Sequence, residues 1–483
     1  MLPLLPVRLS AHVEACSPCS PCSPFPMPVE YDLAIIGGTP EGRTAAIAAA
    51  KTGARVALVE PTFAWQHQVH VDTLRQGLAA GVGSTWGEIK VWAQLATYAQ
   101  AEQVSSAAIA AMGVDVLFDQ ATFQSGRLPI LQTSRRPIPA RGYLMATGAT
   151  SHLPPIEGLA TANPLSLDQL AQLETLPQRI ALVGHQAMAI EWAFALAQAG
   201  VQVTWILTGD RCLIAEDVDI QRLLSQQLLA AGVQIVAQSQ IDKMQQTDAQ
   251  IHLWVADHPI EVDAVVIASR DTPNVAGLNL SAVGIQPSGP GVQVNRWLQT
   301  GHPRIYAVGS VLGGEDRSDL AAQEAQVAVH NALFWNRQTV AYAYTTYGLA
   351  TPDEVGRVGL TEQQAYQRYG DRAQVRHSSS VPLTSTDPDK INFCKLIYLD
   401  GTQQLLGAHL IGAGAYSMAH SLAAAMRQHP ITLTALAQQQ PSPHTLARLV
   451  HQTAQQTASH RWQMGQWRRD WAENWFNWRR SRW

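Results

Sequence analysis

Tyr31-Asp32-Leu33-Ala34-Ile35-Ile36-Gly37-Gly38-Thr39-Pro40-Glu41-Gly42 decides how this 483-residue chain is read. An apolar run gives way to a glycine turn and then to an Ala-rich helical pattern reaching Lys51. Gly53 stops the helix, and Arg55 to Val59 reads as a second strand ending in Glu60. Strand, glycine turn, helix, strand and acid form the order of a dinucleotide-binding unit. Gly37 permits the tight turn and Gly42 the close approach of helix to strand, while the helix N-terminus offers unpaired N–H groups to a pyrophosphate. Glu60, 23 residues after Gly37, is placed to bond a ribose hydroxyl. Thr39 stands where the pattern has its middle glycine. The same pattern returns at Ile180-Ala181-Leu182-Val183-Gly184, with a helix over Ala187 to Ala199, a stop at Gly200 and a strand over Val201 to Leu207.

At about 100 to 200 residues per domain, the length implies about three domains. Hydrophobic residues make up 46% and charged ones 14%, against about 25% charged in an average soluble protein, which excludes a disordered, solvating chain. A net charge of -4 argues against a nucleic-acid-binding body, which needs clustered Lys and Arg to neutralise phosphates. Of five cysteines, Cys16, Cys19 and Cys22 lie in an N-terminal Cys-Ser-Pro repeat, and Cys212 and Cys394 stand alone. The spacing fits no secreted disulfide framework, so a reducing, cytoplasmic setting is expected. No metal site is expected either, because the prolines favour an extended chain and no fourth ligand follows. The first 28 residues lack the basic start and clean apolar run of a signal peptide and read as a flexible extension.

Further motifs stand in order: Tyr143-Leu144-Met145-Ala146-Thr147-Gly148, Arg304-Ile305-Tyr306-Ala307-Val308-Gly309-Ser310, Thr351-Pro352-Asp353-Glu354-Val355-Gly356-Arg357-Val358-Gly359-Leu360-Thr361-Glu362, and Leu406-Gly407-Ala408-His409-Leu410-Ile411-Gly412. With the two glycine units, this series resembles the pyridine nucleotide-disulfide oxidoreductases, among them dihydrolipoamide dehydrogenase, glutathione reductase and mercuric reductase, from about residue 29 to 455. The resemblance implies an α/β protein with two Rossmann-like dinucleotide-binding domains and an α+β C-terminal domain that forms a homodimer. It implies FAD as cofactor, with Gly37, Gly38, Thr39, Gly42 and Glu60 on its adenosine and pyrophosphate half. Ala121 would lie near the adenine, and Thr147 and Gly148 beside the crossover. Gly309-Ser310 matches a Gly-Asp pair whose carboxylate bonds the ribityl chain; Ser310 keeps a hydroxyl and loses the charge. Ser318-Asp319 reads as the start of a helix whose first turn, with Leu320 and Ala321, faces the flavin, where the dipole favours negative charge.

The chain departs from the family where the chemistry is. Residues 61 to 90 contain no cysteine, so the Cys-x4-Cys pair that exchanges electrons between substrate and flavin is missing, and disulfide reduction by the family route is not expected. A lysine and glutamate beside the flavin align with Arg75 and Glu191; either these two pair or Arg75 is solvated. The family's His-Pro-Thr-x-x-Glu dyad aligns with Pro443-His444-Thr445-Leu446-Ala447-Arg448. His444 thereby meets an arginine where an orienting carboxylate is needed and reads as a surface or interface residue. In the second unit Gln186 crowds the pyrophosphate position, Leu207 ends the strand where a ribose-binding acid would sit, and Arg270-Asp271 replaces Gly-Arg. Ordinary NAD(P)H binding is therefore doubtful.

The last 22 residues hold Trp462, Trp467, Trp471, Trp475, Trp478 and Trp483, and residues 457–483 carry six Arg against Asp470 and Glu473. Spacings of four, four and three from Trp467 to Trp478 put these tryptophans on one helix face. Such a tail suits an anionic membrane surface, a protein partner or its own dimer. The expected organisation is an extension over 1–28, an FAD-binding part over 29–152, an NAD(P)-type domain over 153–275, a central segment over 276–336 returning to the FAD domain, an interface domain over 337–456 and the tail over 457–483. The function this implies is flavin-only electron transfer; the alternative is a non-catalytic FAD-binding scaffold docked through the tail. The location implied is cytoplasmic, with membrane association through the tail as the variant.

Overall fold

The computed structural model describes residues 29–483 apart from 62–63, 127, 152–155, 185–186, 208–215, 238–240, 248–249, 256–257, 269–271, 287–290, 314–317, 382–390, 443–444, 465 and 482–483, and without the side chains of 64, 65, 67, 160, 318, 458–464, 466–469 and 472. The opening stretch forms strand β1 (Tyr31–Ile36), helix α1 (Pro40–Ala50) and strand β2 (Val56–Glu60). Helices α2 (Ala64–Ala79) and α3 (Trp86–Ala101) follow, then strands β3 (Asp115–Phe118) and β4 (Ala140–Met145). Alternate residues of these strands face opposite ways, and both faces are covered. Leu33, Ile35, Leu58 and Leu144 meet Ala45, Ala46 and Ala49 of α1. Ala34, Ile36, Val59, Tyr143 and Met145 meet Phe123, Leu131 and Ile138. The alanines let α1 lie close to the sheet.

The second glycine unit builds β5 (Arg179–Val183), α4 (Ala187–Gln198), β6 (Gln202–Ile206), α5 (Val218–Ala230), β7 (Gln234–Val236) and β8 (Ala264–Ile267). Its parallel sheet has the order β7-β6-β5-β8 with Leu165–Ser166 at the edge. The chain then returns to the first sheet with β9 (Ile305–Ala307) and helix α6 (Ser318–Leu333), giving the parallel order β9-β4-β1-β2-β3. The chain leaves β1 toward β2 on one side and joins β4 on the other, so a crevice opens at the carboxyl ends of β1 and β4.

The C-terminal domain is an antiparallel sheet of β10 (Thr346–Leu349), β11 (Val355–Gly359), β12 (Ala373–Ser380), β13 (Asn392–Leu399) and β14 (Leu405–Ile411), in the order β10-β11-β14-β13-β12. Helix α7 (Glu362–Tyr369) lies between β11 and β12 in the chain. Helices α8 (Ala415–Gln428) and α9 (Leu446–Met464) cover the sheet through Leu422, Ala423, Met426, Leu449, Val450 and Ala454, and α10 (Gln466–Arg480) continues the chain beyond α9. Among the described residues no helix is long and apolar enough to cross a membrane.

A buried polar seam joins this domain to the second unit. Lys395 of β13, 1% exposed, reaches Asp217 at 2.7 Å, Asp219 at 2.8 Å and Glu362 at 2.5 Å. These three carboxylates form a cluster of metal-ligating geometry, and the ammonium already fills it. Beside it His409 contacts Glu216 at 3.0 Å and the Leu360 carbonyl at 3.0 Å, with Arg357 at 3.4 Å from Glu216. Burial would raise Glu216 and Asp217, but Arg357 and His409 around the first, and His409 and Lys395 around the second, hold both below the usual carboxylate range.

Candidate functional site

The first glycine loop is built by its neighbours. A side chain at Gly37, at φ +107°, would come within 2.0 Å of the Ala146 carbonyl, and one at Gly42 within 2.2 Å of the Gly37 carbonyl. Both positions therefore require glycine. Thr39 does more than fill the place of a glycine. Its hydroxyl donates to the Ala146 carbonyl at 2.9 Å and accepts from the Gly42 N–H at 3.3 Å, capping α1 and tying the loop to the end of β4.

The crevice above this loop is a cleft of ≈ 490 Å³ lined by Gly37, Gly38, Thr39, Ala121, Thr147, Gly148 and Ser310, with Gln120, Thr122 and Gly277 at one end. Asn274 fixes the Thr147-Gly148 turn, donating from Nδ2 to the Thr147 carbonyl at 3.1 Å and from its N–H to the Gly148 carbonyl at 3.0 Å. Two polar wall atoms, Thr147 Oγ1 and Asp168 Oδ1, are buried without a hydrogen-bond partner among the described residues. Unpaired polar atoms in a glycine-lined cleft fit a polar, elongated ligand such as a dinucleotide. Gly309 follows β9; its N–H donates to Glu324 at 2.9 Å, and Ser310 is 9% exposed. Of the α6 pair, Leu320 is partly buried and Ala321 buried, in the first turn of a helix beginning at Ser318.

Glu60 lies at the end of β2, against Gly38. It is fully buried and does not line the cleft. Arg43, one residue past Gly42 and equally buried, reaches Glu60 Oε2 at 2.5 Å, and Ser106 donates to Oε1 at 3.1 Å. The same guanidinium donates to the Gly38 carbonyl at 3.0 Å and to the Val104 carbonyl at 2.8 Å. Burial lowers the Arg43 pKa against the pull of Glu60. The carboxylate is thus turned beneath the glycine loop as half of a brace. Sequence reading missed Arg43, although a lone cation on the Ala-rich face of α1, with a single acid at the end of β2, is the signal that would find it. Glu41 was missed too. It lies in the first turn of α1, is 7% exposed and lines the cleft, so an anion bound at this helix end meets free N–H groups beside a carboxylate.

A second cavity of ≈ 370 Å³ lies where α2, α4, β10 and α8 converge. One face of α2 presents Gln68, Asp72, Arg75 and Gln76 to it, at helical spacing. Arg75 and Glu191 lie 3.2 Å apart, and Glu191 also accepts from the Ala350 N–H at 2.6 Å. Tyr416 packs on the Gly348 backbone and donates to Asp319 at 3.2 Å. Asp72, Glu191, Asp319 and Glu354 set four carboxylates against the Arg75 guanidinium, a balance that disfavours an anionic ligand.

The remaining expectations fall elsewhere. His444, Gln186, Arg270, Asp271 and the four cysteines other than Cys394 lie outside the described residues. Cys394 is buried in β13, where burial pushes its thiol up to about 12, so it is an inert core residue. In the second unit Gly184 needs its glycine, since a side chain there would come within 2.4 Å of the Ala268 carbonyl, and Leu207 is buried. Trp205 of β6, fully buried, donates from Nε1 to the Gly184 carbonyl at 2.8 Å.

Comparison with known proteins agrees with this architecture. Residues 31–332 match the pyridine nucleotide-disulphide oxidoreductase family and residues 345–450 its dimerisation domain. A mercuric reductase from Staphylococcus aureus is 27% identical over 412 residues, covering 80% of this chain and 75% of the relative. A glutathione reductase from a Nostoc species is 25% identical over 438 residues, 83% of this chain and 94% of the relative. A dihydrolipoyl dehydrogenase from Bacillus subtilis is 29% identical over 373 residues, 70% and 79% respectively. Among solved structures, the HOCl-induced flavoprotein disulfide reductase RclA from Escherichia coli superposes with a TM-score of 0.75 at 22% identity, over 88% of this chain and 99% of that one, a likeness of fold. The chain belongs to the pyridine nucleotide-disulphide oxidoreductase family, a family of FAD-dependent oxidoreductases.

Proposed function

We propose that the chain is a homodimeric FAD-dependent oxidoreductase that works without a dithiol/disulfide centre and does not act as a dihydrolipoamide dehydrogenase or glutathione reductase. The observation that carries this reading is the wall of the second cavity. There α2 offers Gln68, Asp72, Arg75 and Gln76, and residues 61 to 90 hold no cysteine. FAD bound in the first cleft would supply electron and hydride transfer at its isoalloxazine ring. Gly37, Thr39, Thr147, Gly148 and Ser310 would hold it, with Ala121 toward the adenine end. Glu60 would act through Arg43 on the loop's shape rather than on the ribose.

Arg75 and Glu191 form the polar floor of the reaction chamber. With four carboxylates to one guanidinium, the chamber favours a neutral or cationic reactant over an anionic one. The same balance, with Leu207 in the ribose-acid position, makes NAD(P)H a poor donor. The second reading, a flavin-binding scaffold without turnover, draws on Arg448, which replaces the carboxylate needed to orient a catalytic imidazole.

Anaerobic titration of the purified protein tests both. The expected result is a yellow protein whose flavin band resists NADH and NADPH but is bleached by dithionite, with reoxidation accelerated by neutral or cationic acceptors such as quinones or ferricenium. Rapid bleaching by NADPH would overturn the donor assignment. Reoxidation no faster with acceptors than in air would favour the scaffold, and a purified protein unable to take up added FAD would overturn both readings.

A further inference from the structure

We propose that α10 is an interfacial anchor that docks the protein on an anionic lipid surface. This inference stands apart from the flavin reading, since it rests on the last helix alone. α10 runs for 15 residues, Gln466–Arg480, about 22 Å at 1.5 Å per residue. At 100° per residue, Trp467, Trp471, Trp475 and Trp478 fall within a sector of about 80°, with Arg468 and Arg479 along one edge of it. Glu473 falls on the opposite side and Asp470 well off the aromatic sector, so the acids of the tail point away from whatever the tryptophans meet.

The side chains form a continuous surface. The Trp471 and Trp475 rings stack at 5.9 Å with 7° between planes, and Trp475 and Trp478 at 5.0 Å with 27°. Trp471 is 54% exposed, Trp475 42% and Trp478 44%. Leu449, Val450 and Ala454 tie the preceding helix α9 into the interface-domain core, whereas Asp470, Trp471 and residues 473–480 of α10 are all exposed.

Charge selects the partner. Residues 457–483 carry six Arg against two acids, while the whole chain stands at -4, so the rest of the molecule is acidic. An anionic surface therefore attracts the tail and repels the body, which orients the molecule tail-down. Among the described helices, α10 is the most strongly one-sided, yet it is polar on average. That combination, with indoles on one face and arginines beside them, suits a helix lying in the headgroup layer, where the ring is buried, its N–H stays hydrated and arginine meets phosphate. A helix meant for a protein core would carry Leu and Ile on that face.

Flotation of the full-length protein with vesicles of phosphatidylcholine alone, or with about 30% phosphatidylglycerol, tests this. The expected result is binding to the anionic vesicles with a blue shift of tryptophan emission, weakened by high salt. Trp471→Ala/Trp475→Ala/Trp478→Ala should lower the partition coefficient about tenfold or more, and Arg468→Glu/Arg479→Glu by a similar factor on anionic vesicles. Unchanged thermal unfolding would show that both variants keep the fold. Failure to float with anionic vesicles at low salt overturns the proposal, as does equal binding by the tryptophan variant. A change in oligomeric state in the variants without any vesicle binding would assign the face to a second copy instead and also overturn it.

Discussion

The two glycine units share a fold and differ in what lies beneath the loop. In the first, the Gly38 carbonyl accepts from Arg43, whose charge is balanced by Glu60; in the second, the Gly184 carbonyl accepts from the Trp205 indole. Both loops are braced from below by a large, fully buried side chain, one ionic and one aromatic. The first brace engages the acid at the end of β2. In the second, buried Leu207 stands at the strand end instead of an acid. A glycine loop can thus keep its shape after its recognition chemistry has changed, since shape depends on backbone crowding and bracing while recognition depends on one carboxylate at a strand end.

The largest test of this contrast is Arg43→Met. Leaving Glu60 buried without its cation should cost about 3–5 kcal/mol of stability in denaturant unfolding. Arg43→Met/Glu60→Met should recover most of the loss and bind FAD within about threefold of the unaltered protein, because apolar replacement of a buried pair is nearly neutral. A double variant that folds but loses FAD would return Glu60 to the ribose. Trp205→Phe probes the other brace and should cost about 1–3 kcal/mol, the penalty of leaving the Gly184 carbonyl unpaired.

The units also differ in anchorage, since the second is joined to the interface domain through Glu216, Asp217 and Lys395. Glu216 and Asp217 have folded values held below the carboxylate range. Their contribution is therefore present above the unfolded value of about 4 and is lost as pH falls from there through the folded values. Melting followed from pH 7 to pH 3 should stay flat to about pH 4.5 and then fall, and Lys395→Met should remove much of that acid sensitivity by destabilising the seam already at neutral pH. The smallest effect is Glu41→Gln. Removing a carboxylate from the anion-binding end of α1 should tighten FAD binding about two- to fivefold by fluorescence titration, worth about 0.4–1 kcal/mol.

Most of the architecture is legible in the sequence because it follows from local chemistry. The runs before Gly37 and Gly184 read as strands, and Gly53 and Gly200 mark where the chain leaves its helices. The Arg304–Ser310 stretch reads as a return to the first sheet because the resemblance supplies the order. The second cavity was half legible: Arg75 and Glu191 could be named, but their 3.2 Å separation and the convergence of Asp72, Asp319, Glu354 and Tyr416 are products of packing between distant segments. The Arg43 partner of Glu60 was not legible, because a strand-end acid looks the same in sequence whether it faces a ligand or an arginine 17 residues earlier. Spacing reports which face a residue occupies and says nothing of what the neighbouring element brings to it.

The brace under the first loop also bears on how the protein is made and kept. Arg43, Glu60, Ser106 and Thr39 hold the loop through contacts within the polypeptide. Flavin bound in the cleft would add its binding free energy to that of the brace, so loss of the cofactor should lower stability by that increment while the Arg43–Glu60 contribution remains.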